Sequence, residues 1–335
     1  MMLLRSVGFG VIGLGQFGEK HTHVLSALPN VRLVAVCSRR AARAEEVASK
    51  YGAERYYTDV KDLVRDKEIE AVSIATAENE HLEPTLAAAE AGKHILLEKP
   101  IALSLSDADE MIEATRKASV FFMIGHILRF ETRYAMAKEE IEAGRIGKVV
   151  AIYARRNIPA RVSGGSLQRV SSIVGDSIHD TDLMLWYTRD KIVRVYSDAP
   201  NVKEMLNQGV TWTVYKFKDG GVGVVEAARL LRGNTPFNID ARMEIIGTEG
   251  AIYIDLSDEC IQVNDREGFR MPDTVHWPVM HGKRVGALKE EIAYFADCVM
   301  NCKEPTVIRP EEARTALEAV LAAERSAKTQ TPVTL

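Results

Sequence analysis

The chain has 335 residues, 46% of them hydrophobic and 27% charged, with a net charge of −4. That length favours two domains over one core, and the slightly acidic balance speaks against nucleic acid or an anionic membrane surface as partner. No run approaches the ~18 apolar residues of a membrane span, and Arg5 and Ser6 cut short the apolar start, too early for a signal-peptide core. The cytoplasm is the expected compartment. Cys37, Cys260, Cys298 and Cys302 are too scattered for a disulfide framework. Cys298 and Cys302 stand four apart on an expected helix with no histidine nearby, and read as core residues rather than metal ligands. No metal is expected.

The first element is an apolar strand, Val7 to Ile12, running directly into Gly13-Leu14-Gly15-Gln16-Phe17-Gly18 and a helix-forming run from Gln16. Strand, G-x-G-x-x-G and helix together are the arrangement that binds a dinucleotide. The first glycine permits the turn, the second lets backbone N–H groups approach a pyrophosphate, and the third lets helix and strand pack closely. The helix N-terminus adds partial positive charge. His21 and His23 follow with ligand-like spacing, but on the first helix they read as packing or capping residues.

Further apolar runs at Val31–Cys37, 70–76, 94–98 and 120–124 alternate with helical stretches at 40–51, 81–91 and 106–118. This is the pattern of a doubly wound parallel sheet. It predicts a Rossmann domain over residues 1–127. A helix at about 132–143 then leads into a different texture, with period-2 strands at 149–155, 210–217, 223–230 and 241–246. Lys218-Asp219-Gly220-Gly221 and Gly247-Thr248-Glu249-Gly250 are hairpin signals. With helices at about 176–187, 285–300 and 311–328, residues 128–335 read as an α+β domain with an open, mainly antiparallel sheet. Ser163-Gly164-Gly165-Ser166 is a candidate mobile loop.

Cofactor choice is read at the end of the second strand, where an acid would hold the ribose 2′-hydroxyl of NAD. Here stand Ser38, Arg39, Arg40 and Arg43, with no Asp or Glu between Val31 and Ala44. Hydroxyl and guanidinium groups suit a 2′-phosphate, so NADP is favoured over NAD; a solvated first turn of the next helix is the other reading. Glu98-Lys99-Pro100 closes the fifth strand, at the sheet edge where open α/β folds hold ligands. Lys99 is placed either to reach a nicotinamide and a substrate hydroxyl or to close the strand in an ion pair.

Taken in order, the glycine fingerprint followed by His21, Ala75-Thr76 to His81, Glu98-Lys99-Pro100, His179-x-x-Asp182, Ile245 to Gly250 and Ser326-Ala327-Lys328 resemble the Gfo/Idh/MocA family of glucose-fructose oxidoreductases and inositol dehydrogenases. The resemblance spans nearly the whole chain. It implies a catalytic Lys99 joined to Pro100 by a cis peptide, His179 as general base, and Arg129 at a family position that lines the cleft or bridges the domains. Gly13, Gly15, Gln16, Phe17, Gly18, Ser38, Arg39, Arg40, Thr76, His81, Glu98 and Lys99 are the implied cofactor residues. Lys99, Arg129, Arg155 and His179 are the candidate substrate contacts; Arg155, Arg156, Arg161 and Arg169 also hint at an anionic substrate group, or are solvated charges. Two positions depart from the family: Thr76-Ala77-Glu78 replaces Thr-Pro-Asn, and the acid expected four residues before His179 is Gly175, with Asp176 three before it. Asp176 is catalytic or a helix cap.

The expected activity is hydride transfer between NADP or NAD and a secondary alcohol or ketone of a sugar, inositol or related polyol. Transient-oxidation glycosidases and non-catalytic NADP-binding regulators are the alternatives on this fold. A homodimer or homotetramer is expected through the second domain's sheet, with Val210, Trp212, Val214, Val222, Val224 and Met243 as apolar contacts.

Overall fold

The computed structural model describes residues 5–159, 162, 169–200, 209–255, 261–266 and 268–335. Arg161, Cys260 and the 163–166 loop lie outside them. The chain divides into two compact units, Met1–Phe130 with Val275–Arg314, and Glu131–Thr274 with Thr315–Leu335. The return of 275–314 to the first unit is not visible in a boundary drawn at residue 127.

In the first unit, β1 (Val7–Ile12), β2 (Val31–Cys37), β3 (Arg55–Tyr57), β4 (Ala71–Ile74), β5 (His94–Glu98) and β6 (Phe122–Gly125) form one parallel sheet in the order β3-β2-β1-β4-β5-β6. Helices α1 (Gln16–Ala27), α2 (Ala41–Tyr51), α3 (Val60–Arg65), α4 (Leu82–Glu90) and α5 (Leu105–Ala118) connect the strands. Every residue of β1, β4 and β6 is buried, as a sheet covered on both faces requires. The strand order reverses between β1 and β4, and this switch point is where such sheets open a crevice beyond their carboxyl ends. The Glu98-Lys99-Pro100 turn leaves the neighbouring β5. Short elements such as β3 and α3 carry too little periodicity to be seen in the sequence.

The second unit holds α6 (Thr132–Glu142), β7 (Val149–Pro159), α7 (Ile178–Thr188), β8 (Ile192–Asp198), β9 (Val210–Phe217), β10 (Val222–Leu231), β11 (Asp240–Gly247), β12 (Ala251–Asp255) and a last strand, β13 (Val333–Thr334). Their order is β12-β11-β7-β10-β9-β8-β13, with β7 and β10 parallel and the other pairs antiparallel. α8 (Ala287–Met300) belongs to the first unit, and α9 (Pro310–Thr329) begins there and ends in the second.

Alternation sorts the sheet's side chains. Thr211, Thr213, Tyr215 and Phe217 of β9 are buried, while Trp212 and Val214 are exposed. Val222 is exposed on the same outer face. Met243 is not: it is fully buried with Ala241 and Ile245, opposite Ala154. The expectation that it helps cover the outer face is therefore corrected, because its strand presents Arg242 and Glu244 to that side.

Candidate active site

The three glycines of the loop after β1 answer to different constraints. Gly13 has φ +90°, and a Cβ there would lie 2.7 Å from the Ala75 carbonyl and the Thr76 amide. At Gly18 a Cβ would lie 1.7 Å from the Gly13 carbonyl oxygen. Both are demanded by the protein's own packing. Gly15 is not: its φ of −70° and ψ of −167° suit any residue, and among the described residues an added Cβ meets nothing within 4 Å. Gly15 is also the N-cap of α1 and brings no side chain to the first-turn N–H groups. Uncapped donors beside an empty Cβ position fit a pyrophosphate laid against the backbone. Gln16 is exposed and Phe17 half-buried at the same helix start.

At the end of β2, Arg39 is exposed and forms an ion pair with Glu80 at 3.0 Å. Ser38 Oγ accepts from the Arg40 amide at 3.3 Å. Arg43 points elsewhere. Its Nε donates to the Leu14 carbonyl at 3.1 Å, and the guanidinium pairs with Glu19. It braces the glycine loop from outside rather than reaching toward a ribose. Surrounded by Arg43, Lys50 and Tyr51, Glu19 is held down at about 2, chiefly by the Lys50 hydrogen bond. In the Thr76-Ala77-Glu78 departure, residues Glu78–Glu80 make a 3₁₀ turn, closed by Thr76 Oγ1 donating to the Glu80 carbonyl at 3.0 Å.

The Lys99–Pro100 peptide is cis, as the family resemblance implies. Glu98 is buried, with one carboxylate oxygen 2.8 Å from His21 Nε2 and the other accepting from the Lys99 amide at 3.2 Å. Burial alone would raise Glu98, but the His21 hydrogen bond and nearby positive charge outweigh it and hold the carboxyl below its ordinary range. Opposite Glu98 across β5 and β6, Gly125 leaves room for the carboxylate; a Cβ there would stand 3.2 Å from it. His81, a candidate cofactor residue, is buried behind the turn, its Nδ1–H donating to the Pro100 carbonyl at 2.9 Å. Burial lowers its pKa.

Arg129 is also in the first unit, with its side chain only 1% exposed. It donates to the Val307 carbonyl at 2.7 Å and to Glu312 at 3.2 Å. These bonds tie down the 306–312 segment of the same unit. Glu291 on α8 was not legible as a special residue. It is fully buried three positions after Leu288 and four before Phe295, both in the core. Its place in that apolar stripe was the available signal. Burial first, and then the charge of Glu98, raise its pKa well above the ordinary value.

In the second unit a π-helical turn, Ile173–Ser177, runs into α7. From Val170 to Met184 every residue is buried except His179. The surrounding acids serve buried arginines. Asp180 takes two bonds from Arg156, at 2.8 and 2.9 Å, with both side chains almost wholly enclosed. Asp176 accepts from Arg229 Nε, and Arg229 also donates to the Val170 carbonyl at 2.8 Å. Gly175 makes room for this arrangement, since a Cβ there would lie 2.0 Å from Arg229 Nη2. A side chain at position 175 would have to displace that guanidinium, whose ion-pair partner is the acid one residue later. Arg155 pairs with Asp240 at 2.6 Å and stands opposite Glu226 and Arg242. It faces the outer side of the sheet, whereas Arg156 and Arg229 face α7. Arg155 and α7, which carries His179, therefore lie on opposite faces of the sheet.

A 3-2-1-4-5-6 parallel sheet, an uncapped glycine loop at its switch point and a lysine closing β5 define a dinucleotide-binding Rossmann protein with an appended α+β domain. Residues 7–126 match the family model described as "Oxidoreductase family, NAD-binding Rossmann fold", and residues 134–253 match the GFO/IDH/MocA C-terminal domain. The chain belongs to the Gfo/Idh/MocA family and is an enzyme of the dehydrogenase and reductase class. It is 31% identical to a myo-inositol 2-dehydrogenase of Thermotoga maritima, over 97% of this chain and 98% of that protein. It is likewise 31% identical to a scyllo-inositol 2-dehydrogenase (NAD(+)) of Bacillus subtilis, over 97% and 95% of the two chains. The crystal structure of a probable dehydrogenase from Thermotoga maritima superposes with a TM-score of 0.81 at 28% identity, covering 98% of each chain. Among the described residues no helix is long and apolar enough to cross a membrane, and no group of three or more His, Cys, Asp or Glu could hold a metal.

Proposed function

We propose that this enzyme oxidises or reduces a secondary alcohol or ketone of inositol, a sugar or a related polyol, with a nicotinamide dinucleotide held on the first unit. The observation that carries the reading is Gly15: nothing among the described residues fills its Cβ position, while its glycine neighbours are enforced by packing. The Gly13–Gly18 backbone would hold the pyrophosphate, and Ser38, Arg39 and Arg40 the adenosine ribose. Full-length likeness to two inositol dehydrogenases supports the substrate class. When bound, the nicotinamide supplies the hydride acceptor or donor.

The chain's residues manage the proton. His179 takes the hydroxyl proton in the oxidative direction, being the one side chain of its buried run that reaches solvent. Lys99 stabilises the negative charge that develops on the substrate oxygen. Asp176 acts on stability through Arg229 and is left out of the proton transfer. A 2′-phosphate is the preferred ribose substituent, since Arg39 can exchange Glu80 for a phosphate and the β2 end itself carries no acid. The protein partners are further copies of the chain, paired over the outer sheet face bearing Trp212, Val214 and Val222.

A panel of myo-inositol, scyllo-inositol and aldoses, read at 340 nm with NAD and NADP side by side, tests the reaction class. Absorbance change with one of these alcohols is expected. Release of free sugar from a glycoside without net cofactor change would transfer the protein to the glycosidase alternative, and cofactor binding with no turnover to the regulator. Light scattering at the 37.1 kDa monomer mass across micromolar concentrations would reject the pairing.

A further inference from the structure

Lys99 sits on a turn whose buried side is held by two histidines that no proton-transfer role employs. On one side, His21 of α1 lies wholly inside the unit, with Nδ1 2.8 Å from Ser73 Oγ on β4 and Nε2 2.8 Å from Glu98. An ionised carboxylate only accepts, so Nε2–H donates to it. The second oxygen of Glu98 then receives the Lys99 amide. On the other side, His81 donates from Nδ1 to the Pro100 carbonyl. Its Nε2 is buried with no hydrogen-bond partner among the described residues, so only one tautomer of the neutral ring serves this bond.

We propose that His21 and His81 are positioning residues for Lys99: His21 acts through Glu98 on the Lys99 amide, and His81 acts on the Pro100 carbonyl, clamping the turn at both ends. The inference rests on the catalytic reading of Lys99. Each bond is made in a dry interior, where a misplaced polar group finds no water to replace its partner. The clamp therefore converts the packing of α1, β4 and the 78–81 loop into a fixed origin for the lysine side chain. A side chain carried by an unclamped turn would sample positions an ångström or more apart, enough to cost about a hundredfold in rate. The ionisable groups facing Glu98 are His21 from α1, His81 from the loop before α4, Lys99 itself and Glu291 from α8.

The two histidines differ in which nitrogen they use, and the experiment exploits this. Asparagine mimics Nδ1 and glutamine mimics Nε2. His81→Asn should retain turnover that His81→Gln and His81→Leu lose. His21→Gln should retain more than His21→Leu, which is expected to lower kcat about ten- to a hundredfold while the NADH dissociation constant stays within about twofold. The basic limb of the pH–rate profile should shift in the leucine variants and return in the matching amide. Hydrogen exchange of the Lys99 amide in the cofactor-free protein gives a readout independent of catalysis. His21→Leu should accelerate it about tenfold, the loss of one charge-assisted bond. Unchanged exchange in a folded His21→Leu variant, or equal turnover in His81→Asn and His81→Gln, would overturn the clamp. A Lys99→Ala variant that keeps wild-type turnover would instead remove the reading on which it rests, and the positioning role with it.

Discussion

Replacing Gly15 with alanine separates what the fold needs from what a ligand needs. The residue's backbone lies in an extended region that alanine adopts without strain, and the new methyl group meets no atom of the described residues within 4 Å. Alanine narrows the unfolded ensemble, a gain of about 0.4–1 kcal/mol. It is a poorer N-cap than glycine by roughly 0.5–1 kcal/mol. The two nearly cancel, so folding stability should stay within about 0.5 kcal/mol of wild type. Binding should not survive so well. On the proposed cofactor reading, a methyl group at this position would stand between the first-turn N–H groups of α1 and the pyrophosphate. Losing one charge-assisted hydrogen bond there is worth about 1.5–3 kcal/mol, or roughly 10- to 150-fold in dissociation constant. Fluorescence titration with NADH and NADPH, beside urea denaturation, measures both quantities on one preparation. Gly18→Ala is the control, because its methyl group would enter the Gly13 carbonyl and must lower stability before binding is considered. Cofactor affinity within twofold of wild type in a folded Gly15→Ala protein would refute the reasoning. So would equal destabilisation of the two variants.

Arg39→Ala should weaken NADPH by about 1.5–3 kcal/mol through a lost charged hydrogen bond and leave NADH nearly unaffected; tighter NADH than NADPH in the wild type would dispose of the phosphate preference. Asp176→Asn removes the charge opposite the buried Arg229 and should cost about 3–5 kcal/mol in urea denaturation. Wild-type stability with a displaced pH–rate profile would return Asp176 to the proton-transfer machinery. Glu291 titrates above its ordinary value in the folded protein, so its contribution to stability is complete below the unfolded carboxyl pKa and is lost as pH rises through the folded one. Glu291→Gln should abolish that loss, giving a stability curve that falls less steeply as pH rises above the ordinary carboxylate range; parallel curves for variant and wild type would show that the carboxyl is not held protonated.

The strand–glycine–helix unit at residues 7–27 and the parallel α/β order were legible in the sequence because they are local. Each glycine acts within a few residues of its neighbours, and a buried parallel strand announces itself as an apolar run. The long strands of the second domain were legible for the same reason. What the arginines do was not. Arg43 turns to the Leu14 carbonyl, Arg155 and Arg156 part to opposite faces of one strand, and Arg229 reaches an acid 53 residues away. A run of basic residues looks alike whether it awaits an anion or already holds one, since a charge does not reveal its partner. The same holds for His21, Glu98 and Glu291, brought together from three separate elements. Periodicity and turn chemistry depend on neighbours along the chain, so sequence alone determined the elements and the cofactor loop. Pairing of buried charges depends on distances across the fold, where desolvation makes a partner obligatory; only the tertiary structure decided those.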